Sequence, residues 1–167
     1  HPYFEAIRKD RRLTHFYTGI EDGLDFEHAL ILKEYLRDLF PHGAADKNYL
    51  NVNVLEMIDA AEMGEKYLCG NISKMLVQLI QAGGTQARTV GLQSAESGHI
   101  VVELWSNKFN KWALLDPDYN VHYTDQSGIP MSALDLYINS HKLDFNSNII
   151  RHTGLSKNTL HNSNTRL

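Results

Sequence analysis

Three residues of the chain have the types and surroundings needed for acyl transfer: Cys69, His99 and Asp116. Cys69, the single cysteine, begins a run in which Ile72, Met75, Leu76, Leu79 and Ile80 recur at i, i+3, i+4, i+7 and i+8. That spacing predicts an α-helix with one buried side, ended by Gly83 and Gly84. The thiol therefore lies at a helix N-terminus, where unpaired backbone N–H groups and the positive end of the macrodipole favour the nucleophilic thiolate. His99 opens an alternating run to Trp105, and Asp116 closes another that starts at Lys111. A four-residue loop over Ser106 to Phe109 would pair Trp105 with Asn110 and set His99 directly across from Asp116. Opposed residues of antiparallel strands have Cβ atoms ~5 Å apart, within reach of an imidazole–carboxylate hydrogen bond. A slip of one residue would put them on opposite faces.

A cysteine nucleophile, a histidine to take its proton and a carboxylate to fix the imidazole's tautomer are the parts of acyl transfer through a thioester. The N–H of Cys69 can donate to the developing oxyanion, an interaction worth ~3 kcal/mol in the transition state. Tyr67, Tyr49, Asn51 and Asn53 are all candidates for the second donor. Each of the three residues also has a plainer reading. A lone cysteine at a helix start is more often a small core residue, a histidine opening a strand is commonly a surface group, and Asp-Pro after a strand is commonly a turn signal. Their joint placement favours the chemistry. The remaining histidines show no ligand spacing such as His-x-x-x-His, so neither a metal nor a cofactor is expected. Trp105 and Trp112 fall on the face of His99 and Asp116, one expected in the core and one on a cleft wall. Arg88 reads as a structural ion-pair residue rather than a catalytic one.

The elements that must hold these residues change in kind along the chain. Before the thiol the pattern is helical, with an amphipathic helix from Asp25 to Phe40 and a second one capped by Asn53, with Glu56 as a capping-box partner, running to Gly64. After Gly84 it alternates, giving strands at Ala87 to Leu92, His99 to Trp105 and Lys111 to Asp116. Asp118 to Gly128 reads as a polar connection, followed by a helix from Ser132 through Ile138. The basic cluster Arg8, Lys9, Arg11 and Arg12 reads as a solvated helix face. One domain over 1–157 is expected, with 158–167 as a flexible tail.

Composition narrows the partners. With 16 Lys and Arg against 20 Asp and Glu, the net charge is −4, which argues against nucleic acid or an anionic membrane as the main partner. A single cysteine excludes an internal disulfide. No apolar run approaches the ~20 residues of a membrane helix, so the chain is expected to be soluble.

Cys69-Gly70, the segment from Gly84 through Ala87-Arg88-Thr-Val90 to Gly91, the segment Gly98-His99 through Glu103-Leu-Trp105, and the segment Trp112-Ala-Leu-Leu-Asp116-Pro117 together resemble the transglutaminase-like superfamily of papain-like cysteine enzymes. The likeness covers roughly Leu55 to Tyr137. It implies an α+β fold with a helical N-terminal half, the cysteine helix packed on an antiparallel sheet, and Cys69, His99 and Asp116 as the triad. The function implied is a cysteine-dependent amide hydrolase or acyltransferase. It would act on a peptide or protein amide, with water or an amine as acceptor. A catalytically silent module that binds a peptide or protein partner is the alternative. Leu68 before the cysteine and Ile100 after the histidine depart from the common pattern, which bears on substrate preference.

Overall fold

The apolar stripe that begins at Ile72 does form a helix. In the computed structural model, which describes residues 1–21, 23–44, 53–94, 97–141 and 148–155, it spans Cys69–Ala82. The order is α1 (Pro2–Lys9), a 3-10 turn (Thr14–Tyr17), α2 (Asp25–Leu39), α3 (Val54–Glu62), α4 (Cys69–Ala82), β1 (Ala87–Gln93), β2 (Gly98–Ser106), β3 (Lys111–Asp116), β4 (Val121–Thr124), α5 (Ala133–Ser140) and β5 (Ile150–Thr153). The fold is α+β, with four helices preceding an antiparallel sheet whose strands neighbour one another in chain order. Among the described residues no helix is long and apolar enough to cross a membrane.

Ile72, Met75, Leu76, Leu79 and Ile80 are all buried in the main core. Each such side chain contributes about 1.5–3 kcal/mol relative to an exposed position, so this stripe anchors the molecule. It meets α1, α2 and α3 on one side and Val102, Leu104, Ala113 and Leu115 of the sheet on the other. The opposite sheet face, with Val101 and Leu114, is covered by Met131 and Leu136. Asn53 caps α3 by accepting from the Glu56 N–H at 3.1 Å, and its amide donates to the Glu56 carboxylate at 2.6 Å. A full capping box starts α5, between Ser132 and Asp135.

Three expectations change. The β2–β3 hairpin closes on Ser106 and Lys111, and the pairs run Trp105 with Trp112 and Val102 with Leu115. Its register is thus two residues from the expected one. The turn moves because Asn110 adopts φ 51°, a left-handed conformation that Asn tolerates, while Ser106 is held in the strand by donating to buried Asp25. A two-residue shift preserves face parity, so His99 and Asp116 stay on the same face. Second, the supposed polar connection after Asp118 contains strand β4, and the chain beyond α5 contains β5, each of four residues. Third, Arg12 is not a free surface cation, since it pairs with Asp10 and ties to Asp59 and Glu62 on α3. Residues 158–167, expected to be a tail, lie outside the described residues.

Candidate active site

Cys69 is the first residue of α4, and Leu68 at the cap position offers no side-chain acceptor to the first turn. Two contacts bring that helix end against the start of β2. A Cβ at Gly70 would sit 3.3 Å from Ile100 Cδ1, so the glycine permits the approach. One turn further, the buried hydroxyl of Ser73 donates to the Ile100 carbonyl at 2.9 Å. Ile100 in turn hydrogen-bonds the sulfur of Cys69 through its backbone.

His99, three residues before the first β2–β3 pair, meets Cys69 there. Its Nε2 lies 2.8 Å from Asp116 Oδ2, which leaves Nδ1 to face the thiol. The other oxygen of Asp116 accepts from the N–H groups of Asp118 and Tyr119, each at 3.0 Å. The Asp-Pro turn signal and the imidazole partner are thus one carboxylate. Tyr119 also sets its ring edge-to-face against His99, with centroids 5.1 Å apart.

The charges reinforce one another. The hydrogen bond from His99 holds the Cys69 thiol below its ordinary pKa, aided by the Ile100 amide and opposed by burial. Burial disfavours imidazolium at His99, but the bonds to Asp116 and Cys69 outweigh it and push that group up to about 10. Both shifts favour a thiolate–imidazolium pair at neutral pH.

Beneath this pair lies a layer of charge that the sequence pattern did not single out. Asp118 places a carboxylate oxygen within 4.8 Å of both the Cys69 sulfur and a His99 ring nitrogen. Oδ1 of Asp118 is 2.7 Å from His42 Nδ1 and 3.5 Å from Arg37 Nη1. Arg37 and Lys33 are buried on α2, and burial lowers the Lys33 pKa to about 8 against the pull of Glu34 and Asp116. A signal was available: Lys33 and Arg37 stand four apart among inward-facing Ala29, Leu32 and Leu36, a spacing that places cations inside the apolar stripe.

Of the candidate oxyanion donors, the Tyr67 hydroxyl donates to the Met57 carbonyl and Asn53 caps α3. Tyr49 and Asn51 lie outside the described residues. Trp105 and Trp112 pack on each other at the hairpin end, with centroids 5.8 Å apart, six residues along β2 from His99. At ~3.3 Å per residue that is roughly 20 Å along the strand from His99, too far for either ring to stand beside the imidazole. Arg88 is structural: it donates to buried Glu103 from Nε and Nη2 and lies over the Trp112 ring, 3.9 Å from the centroid. No family model, curated protein or solved structure matches the chain.

Proposed function

We propose that the protein is a cysteine-dependent amide hydrolase or acyltransferase of transglutaminase-like, papain-like type, with Cys69 as nucleophile, His99 as acid and base, and Asp116 as the group that orients His99. The observation that carries this reading is the continuous chain from sulfur to imidazole to carboxylate, with both thiol and imidazole shifted toward the charged pair.

The thiolate attacks the carbonyl carbon of a peptide-like amide, forming a C–S bond. Charge gathers on the carbonyl oxygen, to which the N–H of Cys69 can donate. Imidazolium then gives its Nδ1 proton to the departing nitrogen as the C–N bond breaks, leaving a thioester and neutral His99. Water or a primary amine, deprotonated by Nδ1, attacks the thioester and releases acid or new amide with the thiolate restored. Throughout, Asp116 Oδ2 accepts a hydrogen bond from Nε2–H and keeps the ring in the productive tautomer.

The test is to incubate the protein with glutamine-donor peptides, ordinary peptides and glycopeptide amides, with and without a primary amine, and to follow both product and intact mass. An acyl adduct on Cys69 that neutral hydroxylamine removes is expected for at least one class. Turnover that persists in Cys69→Ala would rule out the thioester route.

A further inference from the structure

The same side chains suit a second chemistry. Sulfur, imidazole nitrogen and a carboxylate oxygen, from Cys69, His99 and Asp118, lie within 4.8 Å of one another. A tetrahedral zinc ion with bonds of about 2.0–2.3 Å needs its ligand atoms roughly 3.3–3.7 Å apart, so side-chain rotations of about an ångström would close the set. Thiolate, imidazole and carboxylate are all established zinc ligands, and three protein ligands leave a fourth position for water.

The surroundings are those a metal site requires. A ligating histidine generally donates its other nitrogen to a carboxylate, and Asp116 already accepts from His99 Nε2 at 2.8 Å. The carboxylate ligand should itself be hydrogen-bonded, and Asp118 is gripped by His42 and Arg37. Asp118 is also the one member that the acyl-transfer route does not use.

We propose that Cys69, His99 and Asp118 form a reversible inhibitory site for Zn2+, which occupies the thiolate and His99 together and so switches off the nucleophile. This rests on the functional reading for its consequence, but not for the binding itself. From the thiolate–imidazolium form, binding sends the Nδ1 proton of His99 to solvent as the ion takes that nitrogen, the sulfur and an Asp118 oxygen. No electron moves, and a chelator reverses the step.

The experiment is titration of the full chain, first stripped with EDTA, with Zn2+ alone by calorimetry, with alkylation of Cys69 by iodoacetamide followed in parallel. One ion per chain is expected, with alkylation blocked and then restored by EDTA. Cys69→Ala and Asp118→Asn should each weaken binding about 10-fold or more. A Co2+ titration of the parent adds a measurement that needs no variant: a thiolate charge-transfer band with four-coordinate d–d intensity is expected. Unchanged affinity in Cys69→Ala would put the ion elsewhere, and unchanged affinity in Asp118→Asn would remove the third ligand. Either result overturns the proposal, as does the absence of the charge-transfer band. The functional reading has its own readout. If metal-free Cys69 alkylates no faster than free cysteine while zinc binds as described, that reading fails and the metal site stands.

Discussion

Asp116 holds His99 from two residues off the directly opposed position. Continuing the observed pairing from Val102 and Leu115 would place Asp118, not Asp116, across from His99, yet the 2.8 Å bond is to Asp116. Diagonal neighbours on one face lie ~7–8 Å apart at Cα, a gap that an imidazole and a carboxylate can span. The orientation of Asp116 is set by the two N–H groups that hold its Oδ1. Asp116→Asn would keep its oxygen on those donors and turn its NH2 toward Nε2, stabilising the wrong tautomer. The fold should persist, while kcat falls by as much as about 10^4-fold. Turnover within a few-fold of the parent would show that the carboxylate does not orient the base.

The charged pair fixes a pH window. His99 is raised, so its contribution to stability is present below its ordinary value of about 6.5 and is lost as pH rises through about 10. Cys69 is lowered, so its contribution is present above its ordinary value and is lost as pH falls through its depressed one. Since each is the other's partner, they titrate as a pair. The alkylation rate of metal-free protein should therefore be flat through neutral pH and fall only on the acid side, whereas a free thiol gains rate up to about 8.5. His99→Gln should move the profile toward that of a free thiol and abolish the part of the alkaline fall in Tm that His99 causes. Matching profiles in parent and variant would mean that the pair does not form.

Much of this site was legible because its signals are local and periodic. The stripe from Ile72 to Ile80 marks α4 without knowledge of anything it packs against, and strand β3 has the bounds its alternation predicts. Face parity survived an incorrect register because a four-residue loop that slides along the chain by one residue, from 106–109 to 107–110, shifts pairing by two. What stayed hidden depends on distant partners. Strands β4 and β5 are too short to show a period, and their pairing stacks His122 on His152 at 4.6 Å across about thirty residues of sequence. The trio Arg37, His42 and Asp118 comes from α2, the segment after it and the turn after β3, and only the folded chain brings it under the thiol.

An asymmetric stability loss is expected at Arg88 and Glu103. Glu103 is buried, accepting from Arg88 and, through Oε1, from the Ala133 N–H that starts α5, whereas the Arg88 side chain is half exposed. Removing Arg88 strands a carboxylate in the interior, while removing the charge of Glu103 leaves a cation that water can reach. Arg88→Met should cost about 3 kcal/mol, and Glu103→Gln about 1–2 kcal/mol. Denaturant melts of the two variants check the order. A smaller loss in Arg88→Met than in Glu103→Gln would contradict it.

Ser73 should couple packing to reactivity. Its hydroxyl stands one turn from Cys69 and holds the carbonyl of Ile100, the residue whose amide meets the sulfur. Ser73→Ala leaves that carbonyl without this donor in a buried place, a loss of about 1–2 kcal/mol in a denaturant melt. The same change releases the end of β2 from α4, so the Ile100 amide and His99 Nδ1 are both held less firmly against the thiolate. Alkylation near neutral pH should slow several-fold, and its acid limb should move toward higher pH because the thiolate has lost support. A purely structural serine would lower the melting midpoint and leave that limb in place. A fallen midpoint with an unmoved alkylation profile would therefore show that α4 and β2 keep their alignment without this bond, and that Gly70 against Ile100 suffices to hold the site.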